Sequence, residues 1–266
     1  MASWLIEPQW RRARAALFAG YDAVVCAPGP YLASYDPRAV AALADLRIAA
    51  AQQTPIVLAS HSIGPLPAAD IADLNLATVR VAREAATHRY LAEHGCSSVA
   101  SADYAFLYPY ADIPAAGPGD PYTLVFLRAD NLAGGSLRRQ GSRLFAADRL
   151  LADGGGTRLV LATSDRRRDA TFLEQIGRQL DVETASCRTV PEMVRLVAGS
   201  SAVVSDRYHP AICAAVLGKP VDVIPNREPH KMQGLTALLS GHSIADLQAR
   251  ARTGLEAVLG ALRPIS

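Results

Sequence analysis

The feature that most constrains this chain is an alternation: short runs rich in Val, Ile and Leu are each followed by a longer amphipathic stretch. That is the pattern of βα units around parallel sheets, because a parallel strand pair needs a crossover long enough to hold a helix. In the first half it predicts strands at 23–26, 56–59 and 79–81. A helix opened by Asp36-Pro37 runs to about Gln52, and another spans 84–94 with Gly95 placed to end it. A helix at 8–18 precedes the first strand, where a complete doubly wound domain would begin with a strand. The second half repeats the alternation, with strands at 123–127, 159–162, 202–204 and 221–224 and helices at 142–151, 171–180, 210–217 and 244–262. Thr189-Val190-Pro191-Glu192 has the form of a capping box and opens a further helix to Ala198. Residues 108–121, rich in Pro, Gly and Ala, carry no periodicity and mark a junction. The reading is α/β: a short N-terminal Rossmann-like domain over 1–110, a linker over 111–121, a second such domain over 122–243, and a closing helix over 244–266, with a cleft between the domains.

A length of 266 residues suits two compact domains, and half of them apolar with a fifth charged is the composition of an ordinary globular protein. A net charge of +2 implies no nucleic-acid partner. Cys26, Cys96, Cys187 and Cys213 form no close pair, which fits neither a zinc site nor a disulfide framework, so they are expected to be reduced and buried in a cytoplasmic protein. No His/Asp/Glu cluster has metal-ligand spacing, and neither a metal nor a resident cofactor is expected. Asp153-Gly154-Gly155-Gly156 lacks the lysine of a P-loop and reads as a turn. No apolar run is long enough to cross a bilayer. The arginine-rich helix at 10–18 could still rest on the inner face of an anionic membrane, although packing against the sheet accounts for it as well.

Ligands of open α/β sheets gather at the carboxyl ends of the strands, so the residues standing there are the candidates for chemistry. They are His61 and Ser62 after one strand, Arg128 and Asn131 after another, Arg166 to Arg168 after a third, Arg207 and His209 after a fourth, and Lys231 after a fifth. Arg207 and His209 immediately precede Pro210, the expected first helical residue, where backbone N–H groups and the helix dipole favour an anion. The alternative is a capping histidine and a surface Arg207–Asp206 pair. Arg128 offers a bidentate fork for carboxylate or phosphate, or is an exposed arginine at the domain edge. His61 beside Gly64-Pro65 reads equally as a turn residue, and Arg166 to Arg168 either steer a polyanion or form a solvated helix start.

Several segments, taken in order along the chain, resemble those of one known family. Tyr21-Asp22-Ala23-Val24-Val25 is similar to the family's strand before a glycine-rich turn, and Ser60-His61-Ser62-Ile63-Gly64-Pro65 to its loop of the type Q/H-S-I-G-P. Val79-Arg80-Val81-Ala82-Arg83-Glu84 and Ala102-Asp103-Tyr104-Ala105-Phe106 follow in order, the latter resembling a D-P-A-F segment. Leu127-Arg128-Ala129-Asp130-Asn131 is similar to its strand-end arginine motif. The most specific match runs from Val204-Ser205-Asp206-Arg207-Tyr208-His209-Pro210 to Gly218-Lys219-Pro220 and then Lys231-Met232-Gln233-Gly234. Two departures fall in the first half: Ala27-Pro28-Gly29-Pro30 replaces the glycine-rich turn, and the initial strand is absent.

These segments resemble the polysaccharide pyruvyl transferase family, and the resemblance implies a GT-B-like fold. It also implies a bacterial, exopolysaccharide-type activity that transfers pyruvate from phosphoenolpyruvate to two hydroxyls of a sugar or lipid-linked oligosaccharide. Arg128, Arg207, His209 and Lys231 would bind phosphoenolpyruvate, with His61 reaching in from the first domain and His209 as acid/base. Ser62, Asn131, Tyr208 and Asp103 would support the site or face the acceptor. A nucleotide-sugar glycosyltransferase and a non-catalytic sugar- or phosphate-binding protein are the alternatives on the same fold.

Overall fold

The computed structural model describes residues 8–114, 120–129, 137–146, 149–225 and 229–262. The chain divides into two compact units, Met1–Leu107 with Gly241–Ser266, and Tyr108–Ser240.

The N-terminal unit opens with α1 (Pro8–Phe18), whose Arg14 donates to the Asp45 carboxylate on α2 (Arg38–Ala51) and whose Phe18 is buried in the core. The arginine-rich helix thus packs on α2, with Phe18 in the core cluster. The strands β1 (Val24–Cys26), β2 (Gly29–Leu32), β3 (Ile56–Ile63), β4 (Val79–Ala82) and β5 (Val99–Ala100) form one parallel sheet in which β3 pairs with β1, β2 and β4, and β4 with β5. Pro28-Gly29-Pro30, which stands in place of the glycine-rich turn, delivers β2 to the register Gly29–His61 and Leu32–Ile63. Beneath the sheet α2, α3 (Ala68–Leu74) and α4 (Ala85–Glu93) bury Leu43, Leu46, Ile71, Leu74 and Leu91, and Gly95 at φ +71° ends α4. The register of β3 shifts between Leu58 and His61, where Ser60 holds φ +50°, a bulge that re-aims the strand's carboxyl end.

The C-terminal unit is a parallel sheet of β6 (Tyr122–Phe126), β10 (Arg158–Thr163), β11 (Glu183–Ser186), β12 (Ala202–Ser205) and β13 (Val221–Val223), in the spatial order β11-β10-β6-β12-β13. Its helices are α5 (Arg166–Leu180), α6 (Val190–Gly199), α7 (Tyr208–Val216) and α8 (Pro229–Gly241). Thr189 caps α6 by accepting from the Glu192 N–H, but the Glu192 carboxylate accepts the Arg188 N–H rather than that of Thr189, so the expected capping box is formed on one side. The helix expected at 142–151 is not formed. Antiparallel strands β7 (Leu137–Gln140), β8 (Arg143–Ala146) and β9 (Arg149–Asp153) stand there, turned by Gly141 at φ +61°, with Leu144 and Leu151 buried against Val125 and Leu127 of the core. Gly154 to Gly156 form the turn into β10, closed by the Asp153 carboxylate accepting from the Gly155 N–H at 3.0 Å.

The closing helix α9 (Ile244–Ala261) carries a Ser243–Asp246 capping box and returns to the N-terminal unit, packing on β3, β4 and β5. Gly254 allows the approach, since a Cβ there would collide with the Ser101 side chain. Among the described residues no helix is long and apolar enough to cross a membrane.

Candidate active site

In the C-terminal unit the chain order of the strands is β6, β10, β11, β12, β13, so the sheet grows outward from β6 to one side and then, from β12, to the other. Ligands of such sheets settle outside the carboxyl ends of the two strands where that reversal occurs. Those strands are β6 and β12, paired from Ala202–Thr123 to Ser205–Phe126. Arg128 leaves the end of β6 and Arg207 the end of β12, so the two guanidinium-bearing residues arise from adjacent strands at the reversal.

Local hydrogen bonds fix both turns. Asp206 is wholly buried; its N–H extends the ladder to the Phe126 carbonyl at 3.1 Å, and its carboxylate accepts the Arg128 N–H at 2.9 Å. The Ser205 hydroxyl accepts the Arg207 N–H at 3.0 Å and donates to the Arg207 carbonyl at 2.8 Å. Arg207 is consequently the extended N-cap of α7, and the helix begins two residues before Pro210, which becomes its third residue, a position whose N–H has no intrahelical acceptor. The Arg207 side chain makes no capping bond to this helix start, where the dipole favours negative charge.

The buried Tyr208 ring gathers the next two groups. The Lys231 ammonium lies 5.3 Å from its centroid, and the exposed His209 ring stands edge-on to it at 6.0 Å. The structure thus brings Arg128, Arg207, Tyr208, His209 and Lys231 to one end of one unit, joining two strands, one helix start and α8. Asn131 lies outside the described residues. Arg166 to Arg168 open α5.

One residue of this edge was not singled out in the sequence. Asp169, on the first turn of α5 and buried, accepts hydrogen bonds from the Thr163 hydroxyl at 3.1 Å, from the Ala129 N–H at 3.1 Å and from the Arg207 guanidinium. Its sequence neighbours Arg166 to Arg168 disguise it as one more charge on a solvated helix. Its place in the first turn after the strand-end Thr163-Ser164-Asp165 is the signal that could have found it.

The model of the polysaccharide pyruvyl transferase family matches residues 3–228 of the chain. The protein belongs to that family. As a pyruvyl transferase family member it is a transferase of polysaccharide biosynthesis. No curated protein sequence matches it. Among solved structures it is similar to a Listeria monocytogenes protein assigned as a UDP-N-acetylglucosamine 2-epimerase, with TM-score 0.53 and 13% identity over 92% of this chain and 69% of that one. It is also similar to S. aureus MnaA solved with UDP, with TM-score 0.52 and 14% identity over 95% of this chain and 72% of that one. At such identities the likeness shows the fold alone: two Rossmann-like units of the GT-B type.

The N-terminal unit of this pyruvyl transferase family member holds a second polar cluster, also at strand ends. Arg83, just past β4, is buried and donates to the Ser62 hydroxyl at 2.7 Å, to the Glu84 carboxylate at 2.8 Å and to the Asp103 carboxylate at 2.8 Å. Ser62 and Thr87 also donate to Glu84, and Asp103 accepts the Ala105 N–H. Ser62 and Asp103 therefore join one enclosed network, which Arg83 and Glu84 complete; neither of those two stood among the expected site residues. His61 has no exposed surface, and burial, followed by the Arg83 charge, lowers its pKa from 6.5 to about 3. Its imidazole is neutral at physiological pH.

Burial pushes the thiols of Cys26 and Cys187 up to about 11 and that of Cys213 to about 12, so none is activated as a nucleophile. Among the described residues no group of three or more His, Cys, Asp or Glu side chains is placed to hold a metal ion.

Proposed function

We propose that the protein transfers the pyruvyl group of phosphoenolpyruvate to two hydroxyls of a sugar, forming a ketal and releasing phosphate. The observation that carries this reading is the meeting of Arg128 and Arg207 at the β6/β12 reversal, with Lys231 and His209 around Tyr208, in a chain of the pyruvyl transferase family. Phosphoenolpyruvate brings a phosphate and a carboxylate. Guanidinium groups hold such anions in fork geometry and stay charged at any physiological pH, whereas an ammonium is the more compact point charge. The start of α7 adds its dipole to the same end.

In this reading His209 is the acid/base. A histidine titrates near neutrality and can both give and take a proton, and His209 is exposed, so it is open to substrate. It delivers a proton to the methylene carbon of the enol, which becomes the methyl group. The adjacent carbon, now electron-poor, bonds to the first sugar oxygen, whose proton returns to the imidazole. Phosphate leaves with the electrons of its C–O bond, the second sugar oxygen adds to the same carbon, and its proton leaves with phosphate. One proton ends on carbon and one on phosphate. The arginines stabilise the charge that gathers on the departing phosphate, the stage at which preorganised donors contribute most.

The acceptor is a sugar hydroxyl pair on a glycan or a lipid-linked precursor. The test is transfer of label from phosphoenolpyruvate carrying carbon-14 in its pyruvyl carbons, offered with a panel of glycan acceptors, in parallel with labelled nucleotide sugars. Label passing from phosphoenolpyruvate with release of one phosphate supports the reading. Label passing only from a nucleotide sugar makes the protein a glycosyltransferase. Phosphoenolpyruvate binding without phosphate release for any acceptor makes it a binding protein.

A further inference from the structure

Arg207 does not stand alone at the reversal. Its guanidinium donates to the Asp169 carboxylate, and its side chain keeps 15% of its surface exposed while that of Asp169 keeps 3%. The same carboxylate receives the Thr163 hydroxyl from the end of β10 and the Ala129 N–H from the loop after β6. One buried anion on α5 thereby ties together three successive strand ends of the sheet, those of β10, β6 and β12. Thr163 is itself held, accepting the Asp165 N–H at 2.9 Å.

Two effects of that carboxylate oppose each other. Its charge lowers the attraction of Arg207 for a substrate anion. Its hydrogen bonds stop a long side chain with several rotatable bonds from sampling other rotamers, and they set the distance between the loops that carry Arg128 and Arg207. Orientation wins where the guanidinium must meet a planar acceptor in fork geometry, since rotamer freedom must otherwise be lost at each binding event. Surrounding hydrogen bonds that lock a ligand-contacting side chain are what make such a contact productive.

We propose that Asp169 is a positioning residue for the anion site: it holds Arg207, and through Ala129 the Arg128 loop, in the geometry that receives the donor's phosphate or carboxylate. The inference rests on the reading of this end of the sheet as an anion site, and deepens it.

The experiment titrates wild type, Asp169→Asn, Arg207→Gln and the double variant with phosphoenolpyruvate and, separately, with inorganic phosphate, alongside thermal unfolding of each. Asp169→Asn keeps the shape and removes the charge. It is expected to weaken binding about tenfold, the loss of one charged hydrogen bond, with a much smaller further loss, carried by the Arg128 loop, when added to Arg207→Gln. Unchanged or tighter binding by Asp169→Asn overturns the proposal, as does an equal loss in the Arg207→Gln background, which would mark a merely structural role. Should Asp169→Asn fail to fold, Thr163→Val decides by the same criteria, with an expected loss of about threefold. If wild type binds inorganic phosphate but not phosphoenolpyruvate, the donor reading falls and the phosphate series still decides the role of Asp169. If wild type binds neither, both fall.

Discussion

At the carboxyl end of the N-terminal unit's sheet, Arg83 is enclosed by Glu84, Asp103 and the Ser62 hydroxyl; at the same end of the C-terminal unit's sheet, Arg128 and Arg207 stand partly exposed beside Lys231 and His209. Both units are parallel sheets with arginines at strand ends, yet they use the residue differently. In the N-terminal unit two buried carboxylates meet one buried guanidinium, with the half-buried Ser62 hydroxyl beside them, and the cluster cements β3, β4 and the segment after β5. In the C-terminal unit the buried carboxylates Asp206 and Asp169 take a backbone N–H of the Arg128 loop and the guanidinium of Arg207, so they shape the site more than they fill it. Strand order accounts for part of the contrast. The described strands of the N-terminal sheet run outward in one direction from β1 to β5, whereas the C-terminal sheet reverses at β6 and β12, the place where ligands of such sheets settle. A strand-end arginine is thus evidence for a ligand only once the strand order and the neighbouring carboxylates are known.

The largest effect that sharpens this contrast is expected at His209. His209→Ala should lower kcat by about 10²–10⁴, the range of a lost general acid/base, with the unfolding temperature unchanged because the ring is exposed. Steady-state phosphate release and thermal denaturation check both halves. Full activity in that variant would return the residue to a capping role.

Arg83→Met should do the reverse. It leaves two buried carboxylates without their cation and should cost about 3–5 kcal/mol of stability, read as a lower urea midpoint. Replacing Glu84 and Asp103 by Gln and Asn in the same chain should recover most of that loss. A variant that stays stable but no longer turns over would move the N-terminal cluster from scaffold to chemistry.

Acid pH gives a smaller effect from the same unit. Because the folded pKa of His61 lies near 3 and its ordinary value is 6.5, the unfolded chain takes up a proton that the native state refuses throughout that interval. Stability from this group is therefore complete above pH 6.5 and falls as pH drops toward 3. Between about pH 7 and about pH 5 the wild type should lose about 2 kcal/mol more than His61→Asn, measured by urea unfolding at each pH. Equal losses would show that the imidazole reaches solvent.

The smallest expected effect separates stability from site within the C-terminal unit. Thr189→Ala removes the α6 cap and should cost about 1 kcal/mol with phosphoenolpyruvate affinity unchanged.

The parallel sheets were legible because buried strands of Val, Ile and Leu and amphipathic crossovers leave strong periodic signals. Arg128, Arg207, His209 and Lys231 could be found because each follows such a strand or opens the next helix. The β7–β9 insertion was misread as a helix: Leu144-Phe145-Ala146 and Leu150-Leu151-Ala152 fit a helical stripe as well as an alternating one, and only the turn at Gly141 distinguishes them. β2 was missed because its Gly-Pro opening carries turn chemistry, and pairing with β3 overrides it. Asp169, Arg83 and Glu84 were illegible as site or scaffold for a common reason. A charged residue's burial is decided by partners distant in sequence, as when Asp169 meets Arg207 and Arg83 meets Asp103.

The central claim, that the donor's anion is held at the β6/β12 reversal, is tested most directly by a crystal structure with phosphoenolpyruvate. The account predicts density for its phosphate and carboxylate against Arg128 and Arg207, within reach of His209 and Lys231. Phosphoenolpyruvate bound elsewhere on the chain, with that end of the sheet unchanged, would contradict it.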